Sequence, residues 1–474
     1  MTPRWPRPPA APQSCGPRMT EALAVEDFPA WESQVSAAGA CSHPIRLSGK
    51  VQAVNLTTGE TAEVFKTWTD VPYIDGKGEL DTWRDDQPLQ VACGNRREAV
   101  CPACSAVYKR DARQLVRAGL AGGKGVPETV AAHPCVFATV TAPSFGPVHA
   151  RRERNGKVLP CRPRRHRDQR VCPHGRDISC PVRHGEGDPR LGRPMRPDCY
   201  DYRAAVLFNA VARGLWRRFV TYLPRQLARL GGVTGKQFRE LVQVRFVSVA
   251  EYQARGVVHF HAIIRLDANT DEGYAPPPAG WTADLLCAAI KRAAAQASAL
   301  APVAGTGRAL LLHFGTQTDT RIVREHQGDA LTRDAVANYI AKYATKTADA
   351  PGLPSSRIRS AAEVQALRCP AHHRRMIETA WQLGHRKWAH MLGYGGHFLT
   401  KSRRYSVTFG QLRAARAAYR RAQRYEAGQL DPWGRPVDET TVLFVGSWTY
   451  AGSGYAASDG QFLALMSADS ARAR

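Results

Sequence analysis

The chain has 474 residues and a formal net charge of +25 at pH 7, from 66 Lys or Arg against 41 Asp or Glu. Its hydrophobic content of 43% excludes a wholly disordered protein, and the lack of any apolar run of about 18 residues argues against a membrane-spanning one. The length predicts two or three domains, and the positive charge favours a polyanionic partner, above all a nucleic acid.

The first part of the chain is basic and rich in proline, which predicts a disordered lead-in over 1–40. It lacks the apolar core of a secretory signal, so we expect a cytoplasmic protein with reduced cysteines. Under those conditions, clustered cysteines favour metal binding over disulfide bonds.

The next region, 41–130, is expected to bind zinc. Cys101 and Cys104 form the Cys-x₂-Cys pair that is typical of structural zinc sites, and Cys93 precedes them. Cys41 or His43 is the nearest source of a fourth ligand. A helix is expected to follow over 103–119.

The central region, 131–350, is expected to form one α+β domain. Runs of β-branched and apolar residues predict strands, and apolar periodicity predicts helices. Ala254-Arg255-Gly256 separates two of these strands and predicts a β-hairpin. The expected strands cover 135–142, 241–253, 257–266 and 309–314, and the expected helices cover 203–231, 282–299 and 334–347.

A Cys/His-rich insertion occupies 150–200 and has almost no apolar periodicity. Such a segment cannot bury a core of its own, so a metal ion is expected to stabilise it. The preferred zinc ligands are Cys161, Cys172, Cys180 and Cys199, with His184 as the main substitute. Nearby arginines either contact DNA phosphates or form a solvated loop, and the candidates are Arg162, Arg164 and Arg165.

The last region, 351–474, is basic, with a helix expected over 410–427. Its segment 393–410 combines basic residues with aromatic ones. Two interpretations remain open: the segment binds DNA through charge and base stacking, or it packs as a loop beside the sheet. The residues concerned are Lys401, Arg403 and Arg404 for charge, and Tyr394, Phe398 and Tyr405 for stacking.

Two histidines, His259 and His261, lie in the second strand of the predicted hairpin. Side chains alternate along a strand, so both imidazoles share one face, roughly 7 Å apart at Cα, and can chelate one divalent ion. Hairpin pairing can bring Glu251 beside them, and this donor set suits Mg²⁺ or Mn²⁺ acting on phosphate oxygens. The alternative is a pair of ordinary surface histidines.

Two tyrosines, Tyr339 and Tyr343, share one face of the helix predicted over 334–347, as do Lys342 and Lys346. A tyrosine phenolate can attack a DNA phosphodiester, remain attached to the 5′ end and release a 3′-OH. A bound metal would polarise the phosphate, and a lysine would offset the charge that develops on it. An amphipathic helix with packed tyrosines is the alternative.

Three segments together resemble the HUH (His-hydrophobic-His) endonuclease superfamily, and most closely the rolling-circle replication initiators of actinobacterial plasmids and integrative elements. They are ATVTAPSFG (138–146), EYQARGVVHFHAIIRLD (251–267) and YIAKYATK (339–346). The resemblance implies a central antiparallel sheet flanked by helices, an RRM-like palm, with the histidines on a middle strand.

The same resemblance implies roles for single residues. His259 and His261 match the metal ligands, with Glu251 as a third. Tyr343 matches the nucleophile of single-tyrosine members and is preferred as the initiating residue, whereas Tyr339 matches the extra tyrosine of two-tyrosine initiators. The region 131–350 would then be the endonuclease domain.

The expected function is therefore origin nicking, which leaves a 5′-phosphotyrosine and a 3′-OH primer for rolling-circle replication. The partner would be origin DNA, as a single strand or an extruded hairpin. No G-x-x-x-x-G-K-[ST] phosphate loop occurs in the sequence, so a host helicase and polymerase are expected to complete the process.

Two other functions stay open. A non-catalytic, zinc-containing origin binder or regulator explains the charge and the cysteines but leaves the histidine and tyrosine pairs unexplained. An HUH transposase or relaxase would use the same chemistry, although relaxases usually carry a third histidine that the segment 251–267 lacks.

Overall fold

The computed structural model describes residues 35, 38–64, 89–164, 171–271, 273–301, 309–323, 332–345, 353–354, 356–426, 442–455, 464 and 466. The lead-in expected over 1–40 lies almost entirely outside these residues. The chain divides into two compact units, one made of 1–108 with 410–474 and the other of 109–409.

The strands are β1 (Ile45–Asn55), β2 (Thr61–Val64), β3 (Leu89–Val91), β4 (Cys135–Val140), β5 (Arg152–Arg154), β6 (Lys157–Leu159), β7 (Val242–Tyr252), β8 (Val258–Ala268), β9 (Ser298–Ala301), β10 (Leu310–His313), β11 (Thr318–Ile322), β12 (Leu399–Lys401) and β13 (Val442–Ser453). The α-helices are α1 (Pro102–Ala121), α2 (Tyr202–Leu230), α3 (Gly235–Leu241), α4 (Ala283–Gln296), α5 (Arg333–Thr345), α6 (Ala361–Ala366), α7 (Ala371–Gln382) and α8 (Phe409–Glu426). Each strand and helix expected from the sequence is present, with bounds that agree to within a few residues. The other elements were not expected. None of the described helices combines the length and apolar content that crossing a bilayer requires.

The first unit contains an antiparallel sheet built around β1. Strand β13 pairs with β1 along its whole length, from Ile45 opposite Ser453 to Asn55 opposite Val442, and β2 and β3 also pair with β1. The C-terminal strand therefore completes the N-terminal sheet. From the sequence, 41–130 and 351–474 are expected to be separate regions, whereas strands from both form this one sheet. Pairing between strands that are far apart along the chain leaves no local signal in the sequence.

The second unit contains a five-stranded antiparallel sheet with the order β11-β4-β8-β7-β12. Helices flank it, so the expectation of an α+β fold with an antiparallel sheet between helices is confirmed. Strand β8 is the middle strand, and its two neighbours β4 and β7 shield both of its edges.

One face of this sheet packs against α2. The Trp216 ring stacks on Phe260 with ring centroids 5.1 Å apart, and both side chains belong to the main apolar core. The helix begins where the Asp201 side chain accepts a hydrogen bond from the amide of Ala204 at 2.8 Å. Farther along, the buried Asn209 donates to the carbonyl of Gly256 at 2.9 Å and accepts from the amide of Val258 at 3.0 Å, which fixes the start of β8.

The opposite face carries a buried charged cluster. The Asp267 carboxylate accepts hydrogen bonds from Arg265 Nε at 2.7 Å and Nη2 at 2.8 Å, and lies 2.8 Å from His133 Nδ1. Arg265 also donates to the carbonyl of Gly119 in α1. Because buried charges are tolerated when they are paired, this cluster fixes α1 on the sheet face opposite α2.

The segment 393–410 packs inside the second unit up to its boundary at residue 409. Tyr394, Phe398 and Tyr405 are only 2%, 5% and 0% exposed, and the Tyr405 hydroxyl donates to the carbonyl of Val116 at 3.2 Å. Of the two interpretations left open by the sequence, the burial of these three rings favours the packed loop over base stacking. Burying the apolar area of these rings in the core stabilises the fold more than leaving it exposed to water.

Candidate active site

The β7–β8 hairpin places a carboxylate opposite two histidines. In its register, Glu251 pairs directly with His259. Gly256 in the connecting turn has φ +74°, a conformation that favours glycine. Because side chains alternate along β8, His261 shares the face of His259, whereas Phe260 points into the core on the other side.

Three potential ligand atoms converge at this point. Glu251 Oε2 lies 3.0 Å from His259 Nε2 and 3.0 Å from His261 Nε2. The three side chains are 12%, 13% and 5% exposed. Burial alone would raise the pKa of Glu251, but its hydrogen bonds to the two imidazoles outweigh this effect and hold that pKa below its usual value. The carboxylate is therefore charged and faces two nitrogen donors.

This donor set fits a divalent cation. Two imidazole nitrogens and one carboxylate oxygen leave further coordination positions for phosphate oxygens or water. The Thr139 hydroxyl lies 2.9 Å from His261 Nδ1, so when a metal replaces the proton on Nε2, Nδ1 can donate to Thr139 while Nε2 binds the metal through its lone pair. Burial lowers the pKa of His261, which also favours the neutral, ligating form.

Helix α5 brings the tyrosines to the same place. Its buried stripe, which includes Val336 and Ile340, leaves Tyr339 and Tyr343 half-buried beside the histidines. The Tyr339 hydroxyl lies 3.2 Å from His261 Nε2, and its ring packs edge-on against that imidazole at 5.0 Å between centroids. Burial, and then the neighbouring Tyr343 and Glu251, raise the pKa of Tyr339 well above its usual value.

Tyr343 packs against both Tyr339 and His261. Its ring centroid is 4.5 Å from that of Tyr339 and 5.8 Å from that of His261. Lys342 is exposed, with Nζ 5.6 Å from the centroid of the Tyr343 ring. Lys346 lies outside the described residues.

Contacts with α1 hold α5 in position. Arg113 Nε donates to Asn338 Oδ1 at 2.5 Å, and Arg117 Nε lies 3.3 Å from Asp334 Oδ1. Neither contact was expected from the sequence, because both join helices that are far apart along the chain. The first contact involves Asn338, the residue immediately before Tyr339.

A cavity of about 500 Å³ opens onto these groups. Thr139, His259, His261 and Tyr339 line one part of it. The lining also includes polar side chains that the sequence did not point to, namely Thr141, Gln253, Gln317, Asp319 and Arg321. Such a cavity can admit a phosphodiester, and Arg321 supplies a positive charge in its wall.

In the first unit, the structure brings together Cys41, Cys93, Cys101 and Cys104. Cys93 Sγ lies 3.7 Å from Cys104 Sγ, and Cys101 Sγ lies 3.7 Å from Cys41 Sγ. The amides of Asn95 and Cys93 donate to sulfur atoms of the group, at 3.4 Å to Cys93 Sγ and 3.3 Å to Cys41 Sγ. Without a cation, the hydrogen bond with Cys101 raises the pKa of the Cys41 thiol to about 12. Four closely packed sulfurs with amide donors fit a tetrahedral zinc ion.

The insertion contains two clusters instead of one. Cys161 and Cys180 converge with His149 and His184, whereas Cys172 and Cys199 converge with His174. The single set of four cysteines chosen from the sequence is therefore wrong as a grouping. Sequence spacing could not separate the two clusters because the chain folds back on itself between them, and His149 had no neighbouring ligand to mark it.

The basic residues expected to contact DNA differ in their surroundings. Arg164, Arg403 and Arg404 are exposed, and Arg162 is half-buried. Lys401 instead donates to carbonyls of its own loop, at 3.0 Å to Arg403 and 2.9 Å to Ser406, so its ammonium group is already engaged within the protein. Arg165 lies outside the described residues.

Comparison with known proteins adds an independent result. A family model described as "Replication initiator protein, pSAM2" matches residues 27–469. A replication initiator protein of Streptomyces ambofaciens is 41% identical over 442 residues, which cover 90% of this chain and 87% of that protein. No solved structure matches the chain.

Proposed function

The chain belongs to the replication initiator protein family RepSA, and we propose that it initiates replication by cutting one strand of its origin DNA with a tyrosine. The observation that carries this proposal is the Tyr339 hydroxyl, 3.2 Å from His261 Nε2 and beside Glu251 and His259. A tyrosine next to a cation-binding donor set is the arrangement that the HUH endonucleases use. Membership of that superfamily and a rolling-circle mode are parts of the proposal.

The reaction is a transesterification. The phenolic oxygen gives up its proton and forms a bond to phosphorus, the bond between phosphorus and the 3′ oxygen breaks, and the 3′ oxygen takes up a proton. The products are a 5′-phosphotyrosine and a 3′-OH primer. When Mg²⁺ or Mn²⁺ is bound by Glu251, His259 and His261, it supplies positive charge to the non-bridging phosphate oxygens.

We propose Tyr339 as the initiating nucleophile and Tyr343 as the residue that accepts a strand in a later transfer. This reverses the order preferred from the sequence. Its support is the Tyr339 hydroxyl, 3.2 Å from His261 Nε2, together with the place of Tyr339 in the lining of the cavity. Lys342 and Lys346 lie in the same segment as the tyrosines. We propose that they offset the negative charge that develops on the phosphate during the reaction.

Origin DNA, as a single strand or an extruded hairpin, is the proposed partner, and a host helicase and polymerase would extend the primer. The net charge of +25 supplies the general attraction to phosphates. We propose Arg162, Arg164, Arg165, Arg403 and Arg404 as phosphate contacts and leave out Lys401. We also propose that Cys41, Cys93, Cys101 and Cys104 bind a structural zinc ion.

The decisive experiment uses the full chain and labelled single strands from the origin of its own genetic element. With Mn²⁺ or Mg²⁺ we expect a covalent protein–DNA band that survives denaturation and a free 3′-OH that a polymerase extends. EDTA is expected to abolish both. His261→Ala is expected to bind the strand without cutting it, and His313→Ala, which changes an exposed histidine of β10, is the matched control.

The opposite result has a clear meaning. Tight origin binding without a nick or adduct on any origin strand, in the presence of either metal, would reject the enzyme and leave a non-catalytic origin binder. Cutting that persists after thorough chelation would reject the cation site.

A further inference from the structure

The insertion between β4 and α2 contains a group of donors unlike the active site. We propose that His149, Cys161, Cys180 and His184 bind one zinc ion, and that this ion, instead of an apolar core, holds the insertion folded against the catalytic hairpin. The proposal does not depend on nicking activity, since it concerns metal content and local structure.

The geometry is that of a closed four-ligand site. One donor atom from each of the four side chains lies within 4.8 Å of the others. His149 Nδ1 is 3.2 Å from His184 Nε2, and Cys180 Sγ is 3.6 Å from the same nitrogen. Two thiolates and two imidazoles form a standard tetrahedral zinc set, and four protein ligands leave no open position for a substrate.

Backbone hydrogen bonds hold the ligand segments in place. Arg162, the residue after Cys161, exchanges two backbone hydrogen bonds with Cys180. The Arg162 amide donates to the Cys180 carbonyl at 2.8 Å, and the Cys180 amide donates to the Arg162 carbonyl at 2.6 Å. The amide of Ala150 donates to Cys161 Sγ at 3.3 Å, a contact that stabilises a thiolate. The ligands thus come from segments that the main chain has already brought together.

A carboxylate orients one of the histidines. Asp188 Oδ2 lies 2.6 Å from His184 Nδ1 and also accepts from Arg190 Nη2 at 2.8 Å. With its proton on Nδ1, His184 presents the lone pair of Nε2 to the cluster. Carboxylate–histidine pairs of this kind support zinc sites in general.

The insertion has almost nothing else to hold it. In the part of 149–196 that the structure describes, the buried residues are Cys161, Cys172, Cys180, His184 and Pro194. Its β5–β6 hairpin is exposed or half-buried throughout. Because buried apolar area is the main favourable contribution to folding, a stretch of this length with so little of it needs a different source of stability.

Direct contacts also connect this cluster to the turn of the β7–β8 hairpin. Gly192, whose amide donates to the carbonyl of His149 at 2.8 Å, packs against Ala254 in the β7–β8 turn. In the same turn, Arg255 donates to the carbonyls of Pro143 at 2.7 Å and Ala142 at 3.0 Å. A zinc ion on His149 would therefore fix the segment that packs against the turn between Glu251 and His259.

The test measures zinc per chain in the purified full-length protein. Cys161→Ser and His149→Ala are each expected to lose one zinc relative to the wild type. Cys287→Ser and His313→Ala, which lie outside the clusters, are the matched controls and are expected to keep the wild-type content. Asp188→Asn is expected to keep the site but weaken zinc binding by about 10- to 100-fold.

Cobalt substitution keeps the test informative if the loss variants fold poorly. His184→Cys preserves four ligands and raises the thiolates in the site from two to three, so the sulfur-to-cobalt charge-transfer absorbance should increase over the wild type. Unchanged zinc content in both Cys161→Ser and His149→Ala would overturn the proposal. A disulfide between Cys161 and Cys180 in the native protein, found by mass mapping, would overturn it as well.

Discussion

The Thr139 hydroxyl lies 2.9 Å from Nδ1 of His261, while the other ring nitrogen of that histidine faces Glu251 at 3.0 Å. The two contacts use opposite sides of one imidazole. Strand β4 provides the first and strand β7 the second, so the orientation of His261 depends on both neighbours of β8. A change on β4 should therefore affect metal binding without removing a ligand.

We expect Thr139→Val to weaken Mn²⁺ binding by about 10- to 100-fold, because the valine methyl cannot accept the Nδ1 hydrogen. Isothermal titration or Mn²⁺ paramagnetic resonance measures the affinity. Thr141→Val is the matched control, since Thr141 lines the same cavity but bonds to the carbonyl of Gln317 at 2.8 Å. Equal losses in the two variants would contradict the role of Thr139.

The second prediction concerns the order of the tyrosines. Tyr339→Phe is expected to lower formation of the first covalent adduct by roughly three orders of magnitude or more, because the nucleophile is gone. Tyr343→Phe should retain the first nick and lose later strand transfer. Mass mapping of the wild-type adduct identifies the linked tyrosine. An adduct on Tyr343 that only Tyr343→Phe abolishes would restore the order preferred from the sequence.

The third prediction is a pH dependence of stability. Burial alone would raise the pKa of Asp267, but hydrogen bonds from His133 and Arg265 outweigh it and lower that pKa in the folded protein. The folded state then binds fewer protons at this group than an unfolded chain with a pKa of about 3.9. Its contribution is complete above about pH 5 and is lost as the pH falls through the folded pKa.

Asp267→Asn should accordingly lower the free energy of unfolding by about 3–5 kcal/mol at pH 7, since it leaves Arg265 buried without its partner. Urea unfolding from pH 7 to pH 3 should show the gap to the wild type narrowing below about pH 4. The exposed Asp271→Asn is the control. A gap that stays constant over this range would show that the charge of Asp267 is unimportant.

The fourth prediction concerns the contact between the insertion and the hairpin turn. Gly192 has φ +76°, and a Cβ there would lie 2.3 Å from the Ala254 side chain. Gly192→Ala should cost about 1–2 kcal/mol for the left-handed conformation and a further 1–3 kcal/mol or so for the clash. Faster trypsin cleavage after Arg190, which precedes Leu191, would report it. Gly187→Ala, where a Cβ meets nothing within 4 Å, should cleave at the wild-type rate.

The fifth prediction tests the cysteines of the first unit. Cys101→Ser is expected to remove one zinc per chain and to lower the unfolding midpoint of that unit, because Cys101 is completely buried among the other three sulfurs. Elemental analysis with thermal unfolding measures both effects. Cys369→Ser lies outside the clusters and serves as the control. A variant that keeps the full metal content would exclude Cys101 as a ligand.

The sequence revealed those parts of the site that depend on local geometry. Alternation along a strand put His259 and His261 on one face, a glycine turn brought Glu251 opposite them, and helical spacing put Tyr339 beside Tyr343. Each of these relationships spans a few residues, so the period of the element determines it. The structure agrees with all three placements.

The remaining parts depend on which distant segments meet. Thr139 reaches His261 only because β4 pairs with β8, and His149 joins Cys180 only because the insertion folds back on itself. Aromatic residues beside basic ones, as around Tyr405, have the same pattern in a DNA-binding loop and in a packed one. Burial distinguishes the two, and burial follows from tertiary structure alone.

The pairing of β1 with β13 has a consequence for how the protein is made. On the ribosome, β1 emerges early, whereas its longest partner emerges only after the whole of 109–409 has been synthesised. Until then one edge of β1 lacks its partner, and an unpaired edge can recruit a foreign strand. The second unit can complete its fold during translation, while the first must wait until β13 has left the ribosome. Slow or interrupted translation would therefore expose the beginning of the protein to aggregation, and not the segment being made at that moment.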